Sequence, residues 1–556
     1  MNRAVLRAAI AATLTAALAI TGLVATQSAS ADTAPRRIVN GWLPYWSMSA
    51  SLNSVTANAD LWAEASPFWY RATGAATIAQ QPGAGDAAVI GALRTSGITV
   101  VPTVTAGLDA AGMAMILADQ TQRAAHVSAL VDLVTANGFD GVDLNYEAMN
   151  FGGTATDKAS VRGGFVTLVR ELGAALDAQG RMLSVTVGAR TRADDPNWSV
   201  FDYSGIAPWV DRFRIMTYDY HWRGGSPGAV APLSWVTTVL TYAVTAVAPS
   251  KIEVGVPLYG YDWPADPTQP DGYGTAVTRN NQQAEALRAQ YGALRQWSTA
   301  DAAPSFAYTA ADGVKHVVWY NDADATAAKM TLIGKYGLRG LAFWTVGYED
   351  TRQWASLRSY AIQKSTKLTI TAPTAVTYGT AVAVAGTLTT TSGAGAGGQK
   401  VVLQWRPTGS TTWRTVASGT TSSTGAVSLR YTPTSNGSFR LSAPTSWSYL
   451  ASVSASVSTQ VRWRASASLA DATVSRGTTI RLTGKVAPIR TGTTVRRQRY
   501  VNGVWTTVAS TAVRSDGTYG FLFTWSTAGT YTYRVVVPAT SLNATGNSAT
   551  LKVYVS

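Results

Sequence analysis

Three polar side chains stand two residues apart in the run Asp140-Gly141-Val142-Asp143-Leu144-Asn145-Tyr146-Glu147. Successive side chains of an extended strand point to opposite faces, so Asp143, Asn145 and Glu147 share one face and Val142, Leu144 and Tyr146 the other. The apolar face suits packing against helices. A polar row ending in a carboxylic acid is costly to bury without purpose. Protonated by partial burial or by a neighbouring negative charge, Glu147 would be a proton donor and is the candidate catalytic residue. Asp140 has the opposite parity and is expected to serve the start of the strand. Metal chemistry is not expected. There is no Cys, and His126, His221 and His316 are widely spaced outside any HExxH-type pattern.

Such a row needs a scaffold that brings strand ends together. Eight short apolar runs alternate with amphipathic stretches: Ile38–Pro44, Leu61–Tyr70, Thr99–Thr105, Gly141–Glu147, Leu183–Ala189, Arg212–Asp219, Ile252–Tyr259 and Leu338–Thr345. Helical patterns such as Arg123–Ala136 and Val166–Ala178 lie between them. Eight βα units over roughly 325 residues predict a (β/α)8 TIM barrel, whose chemistry sits at the C-terminal ends of its strands. The competing fold, a doubly wound open sheet, usually carries a glycine-rich loop after its first strand, and Gly41-Trp42-Leu43-Pro44 is not one. Within the last strand-to-helix connection, Ser305–Tyr308, Asp312-Gly313 and His316–Tyr320 predict a β-hairpin walling the barrel mouth.

After Ser365 helical periodicity gives way to short alternating runs rich in Thr, Ser, Val and Gly. Trp413–Ser418 matches Trp505–Ser510 at an offset of 92 residues, and Gly379 and Gly386 match Gly477 and Gly484 at an offset of 98. Two tandem all-β, immunoglobulin-like sandwich domains are expected at 367–461 and 462–556, behind a barrel at 36–362. Of their tryptophans, Trp413, Trp447, Trp463 and Trp505, any could face a ligand; the repeated pair Trp413 and Trp505 is expected in the two cores instead. Residues 1–31 read as a secretory signal peptide with Arg3 and Arg7 ahead of an apolar stretch and Ala29-Ser30-Ala31 as cleavage site, the alternative being a membrane anchor.

The charge is uneven. From Lys367 onward 18 Lys and Arg face two acids, Asp471 and Asp516, a balance of +16; taken from the chain's +14, this leaves −2 for residues 1–366. The C-terminal third would therefore attract a polyanion. For a secreted protein an anionic cell-wall polymer fits better than nucleic acid. The alternative is that these charges keep spacer domains soluble.

Over about Ile38 to Ala361 the chain resembles the family 18 glycoside hydrolases. Asp140–Glu147 looks like their DGxDxDxE motif with one substitution, Met216-Thr217-Tyr218-Asp219 like their MxYD motif, Gly255–Gly260 like their seventh-strand signature, and Trp344 like the last-strand Trp that floors the sugar site. Met216–Trp222 with Gly225–Gly228, and Phe306–Trp319, are most similar to the spore-cortex-lytic, peptidoglycan-directed branch. The resemblance implies a secreted, possibly wall-associated glycosidase of β-linked N-acetylglucosamine polymers, peptidoglycan or chitin. It would act with retention, the substrate's own 2-acetamido carbonyl serving as nucleophile. It implies Glu147 as acid and Asn145 as holder of the acetamido group. Tyr218 would donate to the acetamido oxygen, and Asp143 would orient and electrostatically support Asn145. Asp219, Trp344, Met216, Tyr259, Trp46 and Trp222 would bind substrate, and Tyr45 and Trp69 are further platform candidates. No cofactor, no nucleic acid and a monomer are expected. One departure matters. The motif's third Asp is Asn145, which carries no charge to offset an oxazolinium intermediate. The alternative function is therefore a catalytically weak or inactive glycan-binding protein of the same fold.

Overall fold

The computed structural model describes residues 33–556; the signal-peptide reading lies outside the described residues. Eight parallel strands close a barrel. In chain order they are Val39–Pro44, Trp62–Phe68 continued by Tyr70–Ala72, Thr99–Val100 continued by Thr103–Ala106, Gly141–Asn145, Met182–Gly188, Arg212–Met216, Ile252–Pro257 and Gly340–Trp344. Each pairs with the next, and the eighth returns to the first through Val39 opposite Leu341. The ring is thus a TIM-barrel-like α/β fold, and the open-sheet alternative is excluded.

The amphipathic stretches between strands form helices with side-chain caps. Asp86, Asp119 and Asp322 each accept backbone N–H bonds at a helix start, and Thr154 with Asp157 forms a capping box. The helices are longer than their cores of periodicity suggested, Gln120–Ala136 and Ala155–Ala178. Alternation within the fourth strand is as expected. Val142, Leu144 and Tyr146 are fully buried in the layer against the helices, where the Tyr146 hydroxyl meets His126 Nε2 at 2.7 Å. Asp140 accepts from the Val100 N–H at 2.9 Å and fixes the entry of the strand. Trp69 is a core residue, 0% exposed and packed on Phe139, so it is no sugar platform.

The expected hairpin is present as Ala303–Thr309 and Lys315–Tyr320, turning at Asp312-Gly313 with Gly313 at φ 85°. It belongs to a larger antiparallel sheet of five strands, in the order Val277–Asn280, Tyr259–Pro264, Lys315–Tyr320, Ala303–Thr309, Gln296–Ser298. The seventh barrel strand ends at Pro257, and Tyr259 already starts this inserted sheet.

Two further units, all strand, follow the barrel. Each has a six-stranded sheet, and the two share one strand order: in the first Ala375–Thr377, Val457–Arg462, Gly437–Ala443, Lys400–Pro407, Arg414–Thr420, with Ser452–Val453 also on Gly437–Ala443, and in the second Thr473–Val474, Leu551–Val555, Gly529–Val537, Thr494–Val501, Val504–Ala512, with Gly546–Asn547 also on Gly529–Val537. Their cores are built on Trp405 in the first and on Trp463 and Trp525 in the second. Trp413 and Trp505 are half-buried and lie outside both cores, contrary to expectation. Each sits on the solvent side of its sheet beneath an arginine. Trp447 is not a free platform either. It packs against the barrel core, with the Arg36 guanidinium 3.6 Å from its ring centroid.

Candidate active site

The fourth strand stops at Asn145, two residues earlier than its pattern suggests, and Glu147 opens a short 3-10 turn, Glu147–Asn150. The acid therefore stands just beyond the strand end, at the barrel mouth, half-buried. Burial pushes its pKa up, the hydrogen bond from Asn145 pulls it down, and the negative charge of Asp219 adds to the rise; the net direction is upward. A carboxyl held up in this way carries a proton at pH values where an ordinary glutamate has lost it.

Asn145 is 5% exposed. Its Nδ2 donates to Glu147 Oε1 at 2.8 Å, while its Oδ1 is buried without a hydrogen-bond partner among the described residues. An unpartnered buried acceptor costs about 1–3 kcal/mol. Here it points to a missing donor, and an amide N–H of a ligand has that chemistry.

Asp143 takes a different part from the one implied for it. It makes no hydrogen bond to Asn145. Its carboxylate accepts from Ser184 Oγ at 2.6 Å, Thr103 Oγ1 at 3.0 Å, Thr186 Oγ1 at 3.1 Å and Trp42 Nε1 at 3.0 Å. Arg214 Nη1 lies 3.5 Å away. The bond to Trp42 carries consequences upward. Trp42 is 1% exposed and meets Trp344 edge to face at 6.1 Å. Asp143 is thereby linked through Trp42 to Trp344.

Below Asp143 the barrel interior is ionic. Arg214 Nε bonds Glu253 at 2.8 Å, its Nη2 approaches Glu64 at 3.3 Å, and its Nη1 donates to Ser66 Oγ at 2.6 Å. Arg212 closes on Glu64 at 2.6 Å. Burial works against the Arg214 charge, but Asp143, Glu253 and Glu64 outweigh it and hold the guanidinium's pKa above its usual value. Burial pushes the Glu253 carboxyl up, against the pull of Arg214.

The sixth strand ends at Met216, which is buried. Tyr218 and Asp219 lie on the chain just past it, and Asp219 holds the left-handed conformation at φ 60°, which Asp tolerates better than branched residues. Asp219 Oδ1 accepts from Tyr259 Oη at 2.5 Å and Tyr261 Oη at 2.8 Å. Burial raises its pKa more than these two bonds lower it. Tyr218 meets Tyr259 edge to face at 6.3 Å, and its hydroxyl is held well above its usual pKa by burial and by the charges of Glu147 and Asp219. It is a hydrogen-bond donor at any ordinary pH. Gly255 makes room for that ring: a Cβ there would stand 3.0 Å from Tyr218 Cε1 and 2.4 Å from the Ile215 carbonyl.

Trp344 is half-buried and ringed by Phe68 at 5.1 Å and Trp46 at 6.2 Å, with Tyr45 against Trp46 at 4.9 Å. Trp46 is 55% exposed and forms the outer wall of this bowl. Trp222 is equally exposed but stands apart, lying over Gly224 in its own loop with no ring contact to Trp344 among the described residues. That loop is tied to the inserted sheet by Trp263 Nε1 donating to the Gly225 carbonyl at 2.8 Å. The structure thus groups Glu147, Asn145, Tyr218, Asp219 and Tyr259, and sets Trp344 and Trp46 in one aromatic bowl. Trp42, Arg214 and Tyr261 went unnoticed in the sequence. Strand parity was the available signal: Arg214 precedes Met216 by two, between Phe213 and Ile215, and Tyr261 follows Tyr259 by two.

The profile of Glycosyl hydrolases family 18 matches residues 92–349. The putative sporulation-specific glycosylase YdhD of Bacillus subtilis is 31% identical over 285 residues, half of this chain and 65% of that protein. The cortical fragment-lytic enzyme of the same organism is 29% identical over 245 residues, 44% of this chain and 54% of that protein. The match thus spans less than two thirds of these two relatives' length. Among solved structures, a chitinase from Chromobacterium violaceum is 26% identical with a TM-score of 0.52, covering 58% of this chain and 98% of that one.

Proposed function

We propose that this chain, whose residues 92–349 match the glycosyl hydrolase family 18 profile, hydrolyses β-linked N-acetylglucosamine glycans, peptidoglycan or chitin, with retention at the anomeric carbon. The observation that carries this reading is the pair Asn145 and Glu147: a raised-pKa acid bonded to an amide whose oxygen lacks a donor. In the proposed sequence the sugar lies on Trp344. Its acetamido N–H donates to Asn145 Oδ1, and Tyr218 Oη donates to its carbonyl oxygen. Glu147 gives its proton to the leaving oxygen as the acetamido oxygen bonds to C1, forming an oxazolinium ion. The Glu147 carboxylate then takes a proton from water, which opens that ion from the same face as the departed group. Two bonds to Asp219 hold Tyr259 and Tyr261 as one side of the pocket.

Cortical fragment-lytic relatives and a chitinase among the similar structures support an N-acetyl-sugar polymer as substrate. The leader-like first 31 residues support export. The duplicated strand order of the C-terminal units supports an immunoglobulin-like sandwich for each. A second reading, a glycan-binding protein of low turnover, is favoured by one observation: the neutral Asn145 in place of an acid. Incubation with peptidoglycan and with chitin oligomers, against a Glu147→Gln control, separates the two. New reducing ends above that control support hydrolysis; their absence on both substrates leaves the binding protein.

A further inference from the structure

The two C-terminal units repeat more than a strand order. In the first, Gln404 stands opposite Arg440 on neighbouring strands, and Arg440 Nε donates to Gln404 Oε1 at 2.7 Å. In the second, Gln498 stands opposite Arg534, with the same bond at 2.9 Å. Each arginine then reaches across the glutamine's strand to a tryptophan on its far side: Arg440 is 4.4 Å from the Trp413 ring centroid and Arg534 is 4.3 Å from Trp505. A third group completes each cluster, Arg406 at 4.7 Å from Trp413 and the Tyr500 ring at 5.0 Å from Trp505. Even the backbone irregularity recurs. The strand pairing slips between Leu403 and Gln404 in one unit and between Arg497 and Gln498 in the other. A bulge of this kind re-aims the side chains next to it.

This arrangement fixes a guanidinium in one plane. Gln anchors Nε and the indole face carries the flat cation, which leaves the Nη edge without a hydrogen bond among the described residues. A planar fork with a free edge suits two oxygens of a phosphate. The indole face is already covered by cation, so it does not offer itself to a sugar ring. Around each fork the charge is one-sided. Residues 367–461 hold six Lys and Arg and no acid, and residues 462–556 hold twelve with two acids. None of these cations enters a salt bridge among the described residues, whereas arginines of the barrel form many.

We propose that the two Gln–Arg–Trp clusters are paired binding sites for a linear phosphodiester polymer of the cell wall, each fork taking one backbone phosphate. The choice of a wall polyol-phosphate over nucleic acid rests on the glycan-hydrolase reading above, which places the protein on walls. The binding site itself does not depend on hydrolysis.

The test uses the full-length Glu147→Gln protein, so that no wall is digested. It is sedimented with purified Gram-positive walls before and after hydrofluoric-acid removal of phosphodiester polymers, and titrated with purified wall teichoic acid and with a DNA duplex. We expect polymer removal to cut wall retention, and Arg440→Gln with Arg534→Gln to weaken teichoic acid binding by roughly tenfold or more, as for loss of charge-assisted hydrogen bonds. Arg440→Lys with Arg534→Lys, which keeps the charge and loses the fork, should fall between the two. Hydrolysis of short oligosaccharides by the same sandwich variants made in active enzyme should be unchanged. Three results would overturn the proposal: retention indifferent to polymer removal, full binding by the Gln variants, or DNA bound as tightly as teichoic acid. If the Gln variants melt early, a Lys variant that folds normally and binds like wild type also overturns it. Hydrolysis absent with binding intact would reject only the enzymatic reading.

Discussion

Asn145 Nδ2 donates to Glu147 Oε1 at 2.8 Å while Asn145 Oδ1 has no partner among the described residues. The amide is thus committed to the acid at one end and open at the other. Its bond to Glu147 favours the ionised carboxylate and so opposes the effect of burial on the acid's pKa. A carboxylate in the same place would act in the opposite sense.

Asn145→Asp should therefore do two things. A second negative charge beside Glu147 should move the alkaline limb of the pH profile upward. It should also raise kcat, because a charge then faces the oxazolinium; about tenfold is expected where one electrostatic group is added to a water-poor site. The check is kcat and kcat/KM against pH on N-acetylglucosamine oligomers. An unchanged rate means that the missing charge does not limit turnover.

The pH dependence of the wild-type enzyme has a definite sign. The general acid works protonated, so activity should fall as pH rises through the Glu147 pKa. Since that pKa is raised, the fall should come at higher pH than for an ordinary glutamate. Glu147→Gln should lose roughly 10²–10⁴-fold in kcat and lose this limb with it. A pH–rate series on both proteins reads it.

Tyr218→Phe removes the donor to the acetamido oxygen and leaves the ring that Gly255 accommodates. We expect kcat to fall by about 10²–10³-fold, the range for one lost oxyanion-type donor, with little change in KM. A rise in KM at constant kcat would assign Tyr218 to ground-state binding instead.

Arg214→Met leaves Asp143, Glu64 and Glu253 without their shared cation in the barrel interior. Breaking such a buried network on one side typically costs about 3–5 kcal/mol. The sign with pH follows from linkage. In the variant Glu253 loses the Arg214 charge that pulls its pKa down, so its folded-state pKa, already raised by burial, stands further above the unfolded value and it binds a proton more tightly when folded. Stability should be greatest at acid pH and fall as pH rises from the unfolded value through the raised one. Melting temperatures at pH 5 and pH 8 measure it; a deficit that is equal at both would mean that the carboxyls are not the cause.

Much of this was legible in the sequence, and the reasons differ by element. Period-two alternation located Val142, Leu144 and Tyr146 on the helix-facing side because a strand between two layers leaves no other solution. The caps and turns, such as Asp312-Gly313, act over a few residues and read directly. Contacts across the barrel did not read. Asp143 was expected beside Asn145, two residues on, yet its partners come from the first, third, fifth and sixth strands. Trp413 and Trp505 misled because repetition alone does not distinguish a kept core residue from a kept surface residue. Their position was decided by arginines two strands across the sheet and some tens of residues away.

The most direct test follows the anomer of the first product. Proton NMR of chitotetraose, and of a disaccharide-repeat fragment of peptidoglycan, is recorded within the first minutes after enzyme addition. Substrate-assisted hydrolysis at Glu147 predicts the β-anomer first, slowly mutarotating, with Glu147→Gln silent. An α-anomer as first product, or equal turnover by Glu147→Gln, would contradict it.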